Sequence, residues 1–411
     1  MEGTGNLTQK HILVIADGRS PTALRWIEAL CSLDYRISLI STYPVIQDPP
    51  VEQTFILPVA FSQAGSPPSP GQTQSKNSKQ TLIRRFRPLV SWLRYQVGPG
   101  TLPKYGKILQ RIIREIQPDL VHALRIPYEG MLGFYTPPEI PLVISIWGND
   151  FTLHAQVNQK MGQWTRFAMQ RADGLIADTT RDVQLARFWG LNPQKPALVV
   201  PGGGGISLPE IMFSKLTPVS GEDFSTGVPI IVNPRGIRAY VQNEVFFQAI
   251  PFVVQRIPEA RFLCPAMQTS PEAQRWVQQF HLEKSVNLLP VLSQDQLWSI
   301  FHHAQLSVSP AIHDGTPNTL LEAMACGCFP IVYDIESLRE WITPGENGLL
   351  VEPGKPQALA DAMITALQSP RLREKAAIEN LKRIQERSEI TTVRHKISSF
   401  YTKLLNVTEQ T

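Results

Sequence analysis

The chain has 411 residues, too many for one ordinary core, so two domains are the expectation. Apolar residues make up 43% of it, the share of a globular protein, and a net charge of +4 excludes only a strongly acidic chain. Four cysteines (Cys31, Cys264, Cys326 and Cys328) lie in apolar runs and read as buried hydrophobes of a reducing compartment, without the C-x-x-C spacing of a metal or redox site.

The N-terminal stretch "MEGTGNLTQKHILVIADG" has no basic segment leading into a long apolar run, so no secretory leader is expected. No window reaches ~18 uninterrupted apolar residues, so no membrane-spanning helix is expected, and the predicted location is cytoplasmic. "HILVIA" (His11–Ala16) is continuously apolar, the mark of a strand buried on both faces of a parallel sheet. The turn "DGRSP" and the helical spacing of "TALRWIEAL" follow. "YRISLIS", "TFILPVA", "DLVHAL", "PLVISIWG" and "GLIAD" continue the strands, and "LVVPGGGGI" (Leu198–Ile206) closes the first half. The alternation then restarts with "VPIIVNPRG", "ARFLCPA", "VNLLP", "LSVSPA", "FPIVYD" and "GLLVEP", and "EVFFQAIPFVVQRI" is the clearest helix between them.

Strand–helix alternation at this spacing predicts an α/β protein of two doubly wound, Rossmann-like domains facing across a cleft. The first spans residues 1–205 and the second 228–385. The stretch from Gly202 to Gly227 is rich in Gly, Pro and Ser, and residues 206–227 are the expected linker. Residues 386–411 are expected to form a final helix. Two segments interrupt the scheme. Gln63–Gln80 has almost no apolar content and reads as a disordered loop. Thr81–Gly98, "TLIRRFRPLVSWLRYQVG", is basic and aromatic. It is either a surface helix meeting an anionic membrane or lipid acceptor, or an amphipathic helix with snorkelling arginines, and Pro88 breaks its regularity.

The chemistry concentrates in "HDGTPNTLLEAMACG", His313–Gly327. In open α/β sheets ligands bind beyond the carboxyl ends of strands, and "LSVSPA" delivers this loop to that edge. Pro317 suits the first turn of a helix built from "LLEAMA". Gly315 allows a close approach, and the N–H groups around Thr316, Asn318 and Thr319 make a phosphate site at a helix N-terminus. Asp314 is expected to accept hydrogen bonds from a sugar's hydroxyls. Glu322 is set among apolar neighbours, where a carboxylate needs a partner: it either reaches a ribose diol or complements the helix dipole. A phosphate cradle flanked by two hydroxyl-binding carboxylates describes a nucleotide-sugar site. Elsewhere, "ADGRSP" lacks the G-x-G-x-x-G of a nicotinamide or flavin site. Gly18 there either turns backbone N–H groups toward donor phosphates or makes a plain βα turn. His122 reads as a cleft or core histidine, His313 as a packing residue, and no histidine cluster has metal-ligand spacing. No D-x-D is present, so no Mg²⁺ or Mn²⁺ site for a diphosphate is expected; no cofactor and no nucleic-acid partner are expected either.

"DGTPNTLLEAMACGCFPIV" places an acid, seven residues, a glutamate and "AMACG" in the pattern that resembles the E-x7-E signature of family 4 retaining glycosyltransferases of GT-B architecture. The resemblance runs on through "ESLREWITPGENGLLVEPGKPQALADAM" and extends more loosely to "PDLVHA" and "GLIADTT" in the first half. It implies a retaining transfer of sugar from a UDP-, GDP- or ADP-sugar to an acceptor hydroxyl, free or lipid-linked. The first domain would hold the acceptor and the second the donor. The final helix would cross back onto the first domain, as in relatives. The chain departs from the family at four places, one of them the linker strand, which ends in "PGGGGI" where an Asn–Gly pair is more usual. The first acid is Asp314 rather than Glu. The Arg that is followed shortly by a Lys on the donor diphosphate becomes Arg235 without a lysine, leaving Arg238 or Arg339 to supply the second charge. Trp147 stands where many members carry a histidine facing the reacting sugar, with Asp150 and Asn149 as the nearby polar candidates. The implied catalytic set is therefore Arg235, Asp314 and Asp150. The rival readings are a sugar-nucleotide epimerase of the same architecture and a non-catalytic sugar-nucleotide or glycan binder.

Overall fold

The structure is a computed structural model, which describes residues 9–45, 49–60, 62, 94–214 and 216–408. The chain divides into two compact units, Met1–Gly204 together with Arg394–Thr411, and Gly205–Val393. The expected loop Gln63–Gln80 lies outside the described residues, as does all of the basic aromatic segment before Arg94.

The first unit is built on a seven-stranded sheet: β1 (His11–Ala16), β2 (Arg36–Ser41), β3 (Gln53–Ile56), β4 (Leu120–Leu124), β5 (Leu142–Ile146), β6 (Gly174–Ala177) and β7 (Ala197–Val199). All pairings are parallel, in the order β3-β2-β1-β4-β5-β6-β7. The unbroken apolar runs are the reason: β1, β4, β5 and β6 are buried at every position, as strands covered by helices on both faces must be. The first crossover helix, Pro21–Cys31, starts where Ser20 accepts the Ala23 N–H and a proline fills the first turn, and it buries Trp26, Ile27 and Leu30.

The final helix, Ile390–Thr408, supplies the residues from Arg394 onward to this unit. Its Tyr401 hydroxyl lies 2.6 Å from His122 Nδ1, and His122 Nε2 lies 2.8 Å from Ser145 Oγ. His122, wholly buried, is thus a core residue tying that helix to the sheet, and burial pushes its pKa down to about 3.

The second unit has a six-stranded parallel sheet: β8 (Ile230–Val232), β9 (Arg261–Cys264), β10 (Val286–Leu288), β11 (Leu306–Ser309), β12 (Phe329–Tyr333) and β13 (Leu349–Val351). Its order is β10-β9-β8-β11-β12-β13. Both sheets therefore reverse strand order once, between β1 and β4 in one and between β8 and β11 in the other, and such reversals open the crevices where α/β folds bind ligands. The fold is two Rossmann-like doubly wound α/β units.

The expected linker is partly ordered structure. Ser207 caps a short helix, Leu208–Met212, and Ile206, Leu208 and Ile211 pack into a core with Leu321, Met324 and Trp341. The glycine run before it serves close approach. Gly205 has φ +93°, and a Cβ there would lie 2.7 Å from the Ser388 carbonyl oxygen, beside the bonds that Ile206 N–H donates to Ser388 and Ile390 N–H to Ile206. Gly205→Ala combines a left-handed backbone with a backbone clash. It is expected to destabilise this unit by about 1–3 kcal/mol or more, read as a lower urea midpoint.

Candidate active site

In the second unit, β8 and β11 carry their loops to the same end of the sheet, at the strand-order reversal. Asn233, just past β8, is wholly buried. Its Nδ2 donates to Asn243 Oδ1 at 2.9 Å, and its Oδ1 accepts the Arg235 N–H at 3.3 Å. Asn243 Nδ2 in turn donates to the Gly236 carbonyl. These bonds fix a tight turn, with Gly236 at φ +60°, that presents Arg235.

The Arg235 side chain is only 7% exposed and forms a 2.6 Å ion pair from Nη2 to Asp314 Oδ2. Its Nη1 donates to Thr319 Oγ1 at 3.3 Å. Its Nε is buried without a partner among the described residues. With the charge met by Asp314, the buried Nε is the donor that still calls for an acceptor.

The loop after β11 is anchored from its other side. Ser337 donates to the Asp314 carbonyl at 2.7 Å, and the Trp341 indole donates to Thr316 Oγ1 at 2.9 Å. Asp314 itself is bonded on both carboxylate oxygens. One oxygen holds Arg235, and the other accepts its neighbour's Gly315 N–H at 3.2 Å. Thr316 is a buried anchor. Pro317 is the N-cap of the helix Asn318–Ala325 with extended ψ 126°, one position earlier than expected, because a helical ψ there is not needed to start the turn. Asn318 and Thr319 open that helix, half-buried.

Glu322 lies in the helix, 4% exposed, with Oε1 accepting from Gln294 Nε2 at 3.0 Å. The buried carboxylate thus has a polar partner from a neighbouring helix, which sequence spacing did not reveal. Arg238 is exposed; its Nε donates to the Arg235 carbonyl and its Nη1 to the Tyr240 hydroxyl at 2.9 Å. It sits in the same turn as Arg235. Arg339 instead clamps Asp334 through two bonds.

The residues singled out in the first unit occupy other roles. Gly18 donates its N–H to Ser41 Oγ at 3.0 Å, and a Cβ on it would lie 2.8 Å from that same oxygen. That bond ties the βα turn after β1 to the end of β2. Asp150 is fully buried. Its Oδ1 takes the Arg125 guanidinium at 3.0 Å, and its Oδ2 accepts the N–H groups of Ile126 and Trp147. These three bonds tie Asp150 to the Arg125 side chain and to the backbone at Ile126 and Trp147. Trp147 keeps its indole nitrogen buried without a partner among the described residues, against Gly202.

What sequence reasoning missed is a cavity of about 150 Å³ in the first unit, lined by Asp17, Tyr43, Arg94, Tyr95, Arg125, Tyr128, Glu129 and His154. The signal was present in "ALRIPYEGM", two charges in an apolar stretch just past the carboxyl end of β4. Among the described residues no cluster of His, Cys, Asp and Glu could hold a metal ion, and no helix is long and apolar enough to cross a membrane.

Residues 17–203 match the glycosyl transferase 4-like domain, and residues 268–383 match the glycosyl transferases group 1 family. The chain is a group 1 glycosyltransferase by family. Two D-inositol 3-phosphate glycosyltransferases are among its curated relatives. That of Corynebacterium glutamicum is 22% identical over 217 residues, and that of Corynebacterium urealyticum is 24% identical over 215. These matches take in 50% and 47% of this chain and 51% and 48% of the relatives, so they span about half the length of each. Among solved structures, sucrose-phosphate synthase from Thermosynechococcus elongatus aligns with TM-score 0.70 at 16% identity, over 97% of this chain and 100% of that one. HepE of Anabaena, solved in complex with UDP, aligns with TM-score 0.67 at 15% identity, over 96% and 100%. The fold of this group 1 glycosyltransferase is thus the GT-B class, two Rossmann-like units.

Proposed function

We propose that the chain transfers a sugar from a nucleotide-diphosphate sugar to an acceptor hydroxyl, with retention at the anomeric carbon and without a divalent metal. The observation that carries this reading is the buried Arg235 guanidinium, with its unmatched Nε, beside the opening turn of the Asn318–Ala325 helix at the β8/β11 reversal. In that reading Arg235 and Arg238 receive the diphosphate, helped by N–H groups of Gly315–Thr319 and by the Thr319 hydroxyl. Asp314 holds Arg235 in place and lies beside the donor sugar. Glu322 meets the ribose through a small shift of Gln294. HepE was solved with UDP, which supports a UDP-sugar as the first donor to try.

The bond from the anomeric carbon to the diphosphate breaks, and the nucleoside diphosphate leaves with the electron pair. The acceptor oxygen bonds to the same carbon on the same face, and its proton passes to an oxygen of the leaving diphosphate. The protein's share is to place the partners and stabilise the growing phosphate charge. The unit around β8–β13 would bind the donor and the unit around β1–β7 the acceptor. A lipid-linked saccharide suits the basic aromatic stretch 81–98 as a peripheral membrane contact.

Incubation with UDP-, GDP- and ADP-sugars in the presence of EDTA tests the reading. Slow release of free sugar and nucleotide from one donor is the expected result. Conversion to a different nucleotide sugar would instead identify an epimerase, and activity lost to EDTA and restored by Mn²⁺ would overturn the metal-free mechanism. Glu322→Gln is expected to weaken donor binding by about 1.5–3 kcal/mol with the melting curve unchanged. Unaltered affinity in calorimetry would remove Glu322 from the ribose.

A further inference from the structure

The cavity of the first unit is built at the reversal of its own sheet. Asp17 follows β1, Tyr43 follows β2, Arg125 to Glu129 follow β4, and His154 ends the turn after β5. Three features set it apart from a packing defect.

The first is its cations. Arg94 lies over the rings of Tyr43 and Tyr128, 5.1 and 4.9 Å from their centroids, and its Nε is buried with no partner among the described residues. Arg125 is anchored to the buried Asp150 by one terminal nitrogen, and its Nε is likewise buried and unmatched among the described residues. Arg19, by contrast, is satisfied by two bonds to Asp17 and stacks on Tyr43 at 3.5 Å.

The second is Glu129. It is 1% exposed, one oxygen accepts from Thr42 Oγ1 at 2.6 Å, and the other is buried without a partner among the described residues. Burial pushes its pKa up to about 7, against the pull of Arg125. His154 stays neutral at pH 7, because burial, then Arg125, lowers its pKa to about 4, and its Nδ1 pairs with the Tyr95 hydroxyl at 2.7 Å. Near neutrality a partly protonated Glu129 leaves the cavity short of negative charge beside two arginines.

The third is strain. Arg125 has φ +77°, in a region that non-glycine residues avoid at a cost of about 1–3 kcal/mol. The backbone is held there by the Asp150 bonds to Arg125 and to Ile126 N–H. Strain held by a buried carboxylate, and spent on aiming one guanidinium into a cavity, is the pattern of a binding residue.

We propose that this cavity seats the acceptor by an oxyanion, a phosphate or a carboxylate, gripped between Arg94 and Arg125, with Glu129 left for its hydroxyls. Calling the occupant an acceptor rests on the glycosyl-transfer reading above; the anion preference does not. Two guanidiniums with unmatched donors suit an oxyanion better than a neutral sugar, whose hydroxyls would leave both charges uncompensated. A protonated Glu129 donates to a hydroxyl or to the anion itself, and an ionised one would repel the anion.

The test uses the full chain without donor and matched ligand pairs in calorimetry at pH 7: glucose 6-phosphate and glucuronate against glucose, and inositol 1-phosphate against inositol. At least one charged member is expected to bind tenfold or more tightly than its neutral partner. A margin in the phosphates alone assigns a phosphate, and one in glucuronate alone assigns a carboxylate. Arg94→Gln is expected to remove most of the margin. Arg125→Lys, which keeps a charge for Asp150, is expected to reduce it several-fold. UDP binding, measured on the same samples, is expected to be unchanged in both variants. Equal affinity within every pair, or a margin that survives Arg94→Gln in a protein with a wild-type melting curve, would overturn the proposal. Failure of every nucleotide to bind, with the anion margin intact, would strike the donor reading alone.

Discussion

Arg235→Gln is expected to lower turnover on the order of 10²–10³-fold while weakening donor binding far less. The charge on a diphosphate leaving group grows as the glycosidic bond breaks, so a cation aimed at it contributes more in the transition state than in the ground state. In the proposed function Arg235 is that cation. It is buried, held at 2.6 Å by Asp314, and left with a donor that nothing among the described residues matches. The same burial complicates the variant, because losing Arg235 strands a carboxylate that is 15% exposed. Asp314→Asn combined with Arg235→Gln removes that stranded charge. If the arginine acts on the diphosphate, the double variant regains stability but not turnover. Arg238→Ala is expected to cost less, since Arg238 is exposed and already bonded to Tyr240. Single-turnover kinetics separate the two effects, and a variant slowed only through a higher KM would reduce Arg235 to plain donor binding.

The second large effect is on stability and comes from His122. At pH 7.5, His122→Gln is expected to lose about 1–3 kcal/mol, because one amide cannot replace both the Ser145 and the Tyr401 contacts. That gap should shrink on acidification. The folded pKa is about 3 and the unfolded value is ordinary, so between them only the unfolded chain takes the proton. The wild type therefore loses about 1.4 kcal/mol per pH unit below ~6.5 that the variant does not lose, and the two converge near pH ~5. The comparison of variants matters, because Glu129 and Asp178 lean the other way. Burial raises both carboxyl pKa values, so each adds stability as pH falls through its folded value. Urea unfolding followed by tryptophan fluorescence checks the convergence. A gap constant from pH 7.5 to 5 would mean that His122 takes its proton at the same pH folded and unfolded, as an exposed imidazole does.

How legible this was in the sequence depended on the range of the interaction. Strands such as "HILVIA" and "LVHAL" announce themselves, because burial on both faces forces an unbroken apolar run. The loop of Asp314 was legible for the same reason: the strand before it fixes which edge of the sheet it reaches. The pairing of Asp314 with Arg235 was not, since 79 residues separate them and no local pattern encodes a contact across the β8/β11 reversal. Glu322 looked like a ligand-binding acid because its neighbours are apolar, yet its partner Gln294 comes from another helix, 28 residues away. Asp150 was placed near the chemistry by position alone. Its burial under Arg125 and two N–H groups follows from a turn, Asp150–His154, that the sequence did not announce. Glu129 was overlooked although a carboxylate in "IPYEGML" is as costly as the one in "LLEAMA", and the same question asked there would have found the cavity.

In the proposed function Arg235 binds the diphosphate of a nucleotide-sugar donor. Calorimetric titration of UDP, GDP and ADP, each beside its monophosphate, into wild type and Arg235→Gln tests it directly. One diphosphate is expected to bind at least tenfold tighter than its monophosphate, with the margin largely gone in Arg235→Gln. Equal binding of mono- and diphosphates by the wild type, or a margin untouched by the substitution, would contradict the account.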